Sequence, residues 1–430
     1  MISQLPPDAS PRRLKVAQFT DNYGPGSNGL MFAVQQLEGN LLDAGHETVV
    51  VAPRAKGPNP HFGREGRTEI RLPSVRVPSL PTRVANGRHF ERTIDEIGRI
   101  RPDVIHVHGF GPVGVLGVWA AKRLGIPLML TWHTDFDAYA NHYAAILPLL
   151  TQVVKAFMGL SRGELFDSQD LRAAVIRFED RGKSTASLLG ICQKMLETAD
   201  LITSPSPKTA ARCREIAPGA NVVVVPNGVD ALPPGPPPIP KPDGPLVLYA
   251  GRIAPEKDLP LLVNAFSLVS TQRPDARLMV VGDWQQHPRI KRALGDARAT
   301  GKVILPGEQP RDLLGAFYAM ADVFAFPSQT DTQALVLHEA ALAGLPIVSV
   351  DPGLTLVIEP GVNGELARPT PASMAAALLR VIDRLDDEAW MAEASATSKR
   401  LAGQWSIESQ ANEMLRLYGE VAAIRDAVAA

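Results

Sequence analysis

The chain has 430 residues, 45% of them hydrophobic, and its 44 Lys and Arg offset 45 Asp and Glu to a formal net charge of −1. That length exceeds what one hydrophobic core holds, so two domains are expected, and the neutral balance gives no footprint for a nucleic-acid partner. Cys192 and Cys213 form neither a disulfide framework nor a metal-binding spacing, which favours a reducing cytosol.

In chain order, residues 1–13 lack an apolar segment and read as a loose leader rather than a signal peptide. Short β-branched apolar runs then alternate with helical stretches, the pattern of parallel sheets. The expected strands of the first half are 15–20, 48–52, 104–108, 128–132, 201–204 and 222–225. Lys122 and Arg123 interrupt the most apolar run, so no membrane span is expected. Residues 144–160 read as a core helix kinked near Pro148, or as a wall that lines an acceptor site or dips into lipid. Proline crowds residues 232–245 (Pro233, Pro234, Pro236, Pro237, Pro238, Pro240 and Pro242), as in a stiff connector. Strands 246–249, 278–281, 303–305, 323–326 and 347–350 follow. Two doubly wound domains facing one cleft are expected, with ligands at the carboxyl ends of the strands.

Gly24-Pro-Gly26-Ser-Asn28-Gly29 matches the dinucleotide fingerprint G-x-G-x-x-G and raises an NAD(P)-dependent oxidoreductase as an alternative. That reading needs an acid after the second strand, where the chain instead has Ala52-Pro53-Arg54.

The most informative stretch is Phe326-Pro-Ser-Gln-Thr-Asp331-Thr-Gln333-Ala334, continuing as a helix through Glu339 to a stop at Gly344. At 1.5 Å of rise per residue, Asp331 and Glu339 stand roughly 12 Å apart. That is comparable to the reach from the ribose of a nucleotide to a sugar on its β-phosphate. Helix N-terminal amides between the two acids suit the diphosphate. A capped helix bearing one solvated Glu is the plainer alternative, with Asp331 as the cap.

This stretch resembles the donor-binding signature of retaining glycosyltransferases of family 4, where two acids follow an F-P-S turn at the same spacing. The similarity runs in register through most of the chain. It includes Asn28-Gly29, Asp103-Val-Ile-His106-Val-His108, Thr131-Trp-His133-Thr134, Ser204-Pro-Ser206 and Pro226-Asn227-Gly228-Val229-Asp230. It continues in Gly251-Arg252-Ile-Ala-Pro-Glu-Lys257, Val281-Gly282-Asp283 and Gly361-Val-Asn363-Gly364. Two departures stand out: Asp331 where Glu is usual, and Ala334 where Gly is usual.

The resemblance implies a GT-B fold, two Rossmann-like doubly wound domains facing a cleft. Residues 1–231 would be the acceptor side, 232–245 a linker, 246–405 the donor domain, and 406–430 a helix crossing back to the first domain. It implies a donor site of Asn28, Gly29, Gly251, Arg252, Lys257, Gly282, Asp331, Gln333, Ala334 and Glu339, with Asp331 on the donor sugar and Glu339 on the ribose. His133 would touch the donor sugar, while His106 and His108 read as structural. Tyr23, Asp135 and Tyr139 are candidates for the acceptor side.

Arg252 and Lys257 also follow from chemistry, because charge gathers on the leaving phosphate and fixed cations stabilise it; ordinary surface charge is the alternative. With those cations no metal and no cofactor is needed, and Asp135-Phe-Asp137 reads as acceptor contact or loop rather than a metal site. Asn227, Gly228 and Asp230 close the first domain, as functional residues or as a plain turn. Retention follows from the resemblance, with a front-face displacement as its most economical mechanism.

The donor would be UDP- or GDP-linked. The segment from Thr131 to Tyr143, with Thr330 to Gln333, is most similar to members that glycosylate diacylglycerol and other membrane lipids. Arg64, Arg67, Arg71, Arg76, Arg83, Arg88, Arg92, Arg99 and Arg101 would then favour an anionic bilayer. The expected location is the cytoplasm, with peripheral contact at the inner face of the plasma membrane if the acceptor is a lipid. A soluble secondary-metabolite acceptor and a non-catalytic sugar-nucleotide-binding protein are the remaining alternatives.

Overall fold

The structure is a computed structural model that describes residues 12–24, 29–55, 60–76, 83–133, 147–161, 163–354 and 356–429. The first half contains β1 (Lys15–Phe19), α1 (Gly29–Asp43), β2 (Glu47–Pro53), β3 (Arg67–Leu72), β4 (Ser74–Arg76), β5 (Arg83–Ala85), α2 (Phe90–Ile100), β6 (Val104–Val107) and α3 (Pro112–Leu124). It continues with β7 (Leu128–Thr131), α4 (Leu147–Leu160), α5 (Ser168–Ile176), α6 (Lys183–Thr198), β8 (Leu201–Ser204), α7 (Pro207–Ile216) and β9 (Val222–Val224). The second half contains β10 (Leu246–Ala250), α8 (Leu259–Gln272), β11 (Arg277–Val281), α9 (Pro288–Ala299), β12 (Val303–Gly307), α10 (Arg311–Met320) and β13 (Val323–Phe326). Then come α11 (Leu335–Leu342), β14 (Ile347–Ser349), β15 (Gly364–Leu366), α12 (Pro371–Ile382), α13 (Glu388–Gly403) and α14 (Ile407–Ala429).

Two parallel sheets result, ordered β3-β2-β1-β6-β7-β8-β9 and β12-β11-β10-β13-β14-β15. Their central strands are buried along their whole length, which is why they read as unbroken apolar runs rather than as alternation. In each sheet the strand order reverses beside the first strand, β1 or β10, and that reversal opens a crevice at the strands' carboxyl ends.

The final helix returns to the first sheet. Met414, Leu417, Tyr418 and Val421 of α14 share a buried cluster with Leu14, Val16, Leu37 and Val104. The re-entry point is tied to the 227–230 turn: Val229 N donates to Trp405 O at 2.9 Å, and Asp230 Oδ1 accepts from Ile407 N at 3.1 Å. Gly228 is required there, since a Cβ would lie 2.5 Å from Ile407 Cα.

Strands β3, β4, β5 and β15 escape the hydrophobic-run reading. β3 is an edge strand of sequence RTEIRL, and its charges are satisfied inside the protein: Arg67 donates to Glu38 at 2.6 Å and also pairs with Glu69. The kink expected near Pro148 is also corrected. Pro148 stands in the first turn of α4, where its missing N–H has no helical partner to lose.

Candidate active site

The site begins where β10 ends. Gly251 has φ 145°, and a Cβ on it would lie 3.6 Å from Val336 Cγ1, so the exit of β10 faces the first turn of α11. Gly282 has φ 153° at the end of β11, and a Cβ there would sit 2.3 Å from Gly251 O. Both positions therefore need glycine: β11 backs onto the loop that leaves β10. Tyr249 donates to Arg252 O at 2.9 Å and fixes that loop.

Both expected cations follow. Arg252 pairs with Glu256, its own side chain half exposed while Glu256 is buried. Lys257 ends a single 3-10 turn, Pro255–Lys257, and donates to Asp331 Oδ1. The turn after β13 is stitched to the same place, since Ser328 and Thr330 hydroxyls donate to Glu256 O at 3.2 and 3.3 Å. Burial pushes the Asp331 carboxyl up, but Lys257 outweighs it and holds the pKa below the usual carboxylate value. Asp331 Oδ2 is buried without a hydrogen-bond partner of normal geometry.

Asp331 is not the cap of α11. That position belongs to Ala334, which has φ 58° and ψ 77° and makes no side-chain cap bond. The glycine usual here would adopt this left-handed conformation without the Cβ clash that alanine carries.

The turn is also fastened across the cleft. Gln333 Oε1 accepts from Asn227 N and Asn227 Nδ2, both at 2.8 Å, and Gln333 Nε2 donates to Asn227 O at 2.9 Å. Thr332 donates to His133 O at 3.3 Å. Gln333, expected at the donor, thus spends its amide on the first half of the chain. The sequence leaves the partner, Asn227, open between a functional residue and a plain turn.

His133 follows β7. Its Nε2 lies 3.3 Å from His108 Nδ1, and burial lowers its pKa to about 4, so the ring is neutral at pH 7. His108 packs at a tilt against His106, which bonds Tyr418 and Thr131, each at 2.6 Å. A line of imidazoles therefore links α14 to the cleft, and His108 supports His133 directly. The two-residue spacing of His106 on β6 and His108 just past its end places both rings on one face, but nothing local shows that His133 adjoins them.

Glu339 is only 4% exposed. Arg311 donates to its Oε1 at 2.7 Å and Tyr318 to its Oε2 at 2.8 Å, while the Arg311 guanidinium lies 4.7 Å from the Phe32 ring of α1. The solvated Glu of the plainer reading is excluded. A cavity of about 30 Å³ lies beside Glu339, lined by Ala231, Leu232, Gly315, Tyr318, Leu342 and Ala343.

Other expectations change. Tyr23, expected on the acceptor side, is 2% exposed and donates to Glu38, with Arg71 over its ring; it braces α1 instead. Gly29 is the exposed first residue of α1, and Asn28, Asp135 and Tyr139 lie outside the described residues. The arginine set is split: Arg67 and Arg71 are absorbed by Glu38 and Glu69, Arg64 pairs with Asp43, and Arg83 bonds Ser74. Arg76, Arg88, Arg92, Arg99 and Arg101 stay exposed. Among the described residues no group of three or more His, Cys, Asp or Glu is placed to hold a metal ion. No described helix is long and apolar enough to cross a membrane. Lys208 carries no signal in the sequence, because a lysine opening a helix is ordinarily a solvated charge; here it reaches the Asp331 turn.

Residues 28–231 match the family model described as Glycosyltransferase Family 4, and residues 244–384 that described as Glycosyl transferases group 1. The chain is 24% identical over 366 residues to an alpha-monoglucosyldiacylglycerol synthase of Acholeplasma laidlawii, covering 82% of this chain and 84% of that one. It is 26% identical over 348 residues to a GDP-mannose-dependent alpha-mannosyltransferase of Mycolicibacterium smegmatis, covering 79% and 80%. An Anabaena protein solved in complex with UDP and glucose shares the fold, with a TM-score of 0.65 at 16% identity over 95% of this chain and 100% of that one.

Proposed function

We propose that this chain, which belongs to the family 4 glycosyltransferases and has their GT-B fold, moves a hexosyl unit from a nucleoside diphosphate sugar to a lipid hydroxyl, with retention and without a metal. The observation that carries the reading is the cluster at the exit of β10: Arg252, Lys257 and the first turn of α11 converge beside Asp331 and its buried, unpartnered Oδ2. Arg252 and Lys257 are held by carboxylates before any ligand arrives, so their positions are set in advance. They would stabilise the diphosphate as the sugar–phosphate bond breaks. The free oxygen of Asp331 would accept from a sugar hydroxyl. Glu339 would meet the ribose, since each of its oxygens has a second lone pair beyond those used by Tyr318 and Arg311. In a front-face displacement the leaving phosphate takes the acceptor proton, which requires no enzymatic nucleophile.

Support for a lipid acceptor comes from the names of relatives, the diacylglycerol-glucosylating enzyme among them, and from one surface. Leu149 and Leu160 of α4 are each 42% exposed, and Phe157 stacks on Phe90 with ring centroids 5.2 Å apart. Leu160 and Phe157 press on Gly87, next to exposed Arg88. An apolar ridge beside basic residues suits an anionic bilayer surface.

The test offers UDP-glucose, UDP-galactose and GDP-mannose with either diacylglycerol in anionic vesicles or soluble polyols, in EDTA or in manganese. An α-linked glycolipid formed in EDTA is expected. Activity abolished by EDTA and restored by manganese would overturn metal independence, and a β-linked product would overturn retention. Failure to sediment with anionic vesicles at low salt, or binding unaffected by charge reversal at Arg88 and Arg92, would favour the soluble acceptor.

A further inference from the structure

We propose that Lys208 is a positioning residue for the transfer: reaching from the first half, its ammonium holds the 329–331 turn where Asp331 meets the sugar. The inference rests on the reading above for its consequence, but the contact stands on its own geometry. Lys208 Nζ donates to Gln329 O at 2.6 Å, to Asp351 Oδ2 at 2.6 Å and to Asp331 O at 3.3 Å. Its three protons thus meet three acceptors, all in the second half. The receiving side is shaped for it. Gly353 leaves room for the lysine stem, because a Cβ there would lie 2.7 Å from Lys208 Cδ. Gly353 N also donates to Asp351 Oδ1 at 2.8 Å and orients that carboxylate. Only about a fifth of the Lys208 side chain is exposed, and 6% of that of Asp351.

Lys208 stands in the first turn of α7, behind the Ser206 cap. The positive end of a helix disfavours a cation there. Local preference is therefore overridden by the acceptors across the cleft. Because Lys208 bonds the backbone of the turn and acts on the Asp331 carboxylate only through its charge, it governs where that carboxylate sits while leaving Oδ2 without a hydrogen bond. If the two halves part, the turn loses this anchor together with those from Asn227 and His133. The Lys257 pair still holds the carboxylate, but the backbone of the turn is then fixed only while the halves are together, which ties sugar positioning to the side that carries the acceptor.

The experiment compares wild type, Lys208→Met, Lys208→Arg and Asp351→Asn. It reads kcat, KM for the donor, Kd for the free nucleoside diphosphate, and amide hydrogen exchange over residues 327–334. For Lys208→Met the expected result is a kcat about tenfold to a hundredfold lower, as misplacement of a contact group predicts. Kd should stay within about twofold of wild type, since Lys208 touches the turn and not the ligand. Exchange should quicken in 327–334 and stay unchanged in α12. Lys208→Arg should recover part of kcat, and Asp351→Asn should show a milder form of the Met variant's behaviour. Unchanged kcat, unchanged exchange in 327–334, or a Kd that weakens as much as kcat falls would each overturn the proposal. Should Lys208→Met not fold, Asp351→Asn is judged by the same outcomes. If wild type transfers no sugar from any donor tried, the functional reading fails by itself, and the exchange comparison still decides whether Lys208 holds the turn.

Discussion

Lys257 and Asp331 form an ion pair that joins the 3-10 turn after β10 to the turn after β13, with side chains 14% and 15% exposed. The pair sets the position of Asp331 Oδ1 and leaves Oδ2 buried without a partner. The two oxygens of this acid are therefore unlike, Oδ1 committed to Lys257 and Oδ2 buried with no hydrogen bond.

A double-mutant cycle separates the two. Asp331→Leu and Lys257→Met should each lower turnover by about 100-fold or more and also lower stability, since stranding one member of a largely buried pair costs up to about 3–5 kcal/mol. Partial exposure places the expected loss below that range. The double variant should regain much of the stability and none of the turnover. Urea unfolding and steady-state rates measure both; a double variant that regains activity would reduce the pair to scaffolding.

Glu339 should act on the nucleoside whichever sugar is attached. Glu339→Ala is expected to weaken binding of the free nucleoside diphosphate by about 10- to 100-fold, the range for a hydrogen bond to a charged group. Tyr318→Phe removes a bond on the far side of the same carboxylate and should leave affinity within about threefold. Isothermal titration compares them, and equal affinity of Glu339→Ala and wild type would sink the assignment.

Ala334 carries a backbone conformation suited to glycine. Relief of about 1–2 kcal/mol of left-handed strain outweighs the extra unfolded-state freedom of glycine, about 0.4–1 kcal/mol. Ala334→Gly should thus stabilise the protein by roughly 0.5–1 kcal/mol, as the difference of those terms. Ala334→Val should destabilise it, because a branched side chain tolerates this region least. A glycine variant less stable than wild type in denaturant unfolding would contradict the strain.

Stability should fall as pH drops from 6.5 toward 4, because the buried histidines outnumber Asp21, whose carboxyl burial raises to about 6 and which opposes them. Burial lowers His133 and His338 to about 4, and holds His106 and His108 well below the ordinary value. The unfolded chain binds these protons near pH 6.5 and the folded one does not, so stability is complete above 6.5 and declines as pH drops toward 4. The lowered pKa of Asp331 adds a further loss only below about pH 4. Urea midpoints at pH 7, 6 and 5 should decrease in that order. His338→Gln should make the slope shallower by about one proton; a slope identical to wild type would mean His338 is already protonated in the folded state.

Much of the fold is legible because the strands are buried on both faces and announce themselves as apolar runs between helices. β3 is not: its arginines resemble a solvated surface, and only the folded chain brings Glu38 of α1 beside Arg67. For the same reason Arg64, Arg67, Arg71 and Arg83 read along the chain as free surface cations, whereas each has a partner in the fold. In the site, Gly251, Arg252 and Lys257 are readable because they lie within one loop. Tyr23 reads as an acceptor contact because nothing near it in the chain shows its Glu38 partner on α1.

The sequence by itself determined the family, the two parallel sheets and the identity of the acids and cations, since those depend on residue type and on spacing along one strand–turn–helix unit. Only the tertiary structure decided how they are used. Asp331 is an ion-pair partner of Lys257 rather than a helix cap, Glu339 is buried against Arg311 and Tyr318, Gln333 is clasped by Asn227, and His133 leans on His108. Each of these contacts joins segments far apart in the chain. Their strength depends on how much water the packing excludes, and no pattern along the chain records that.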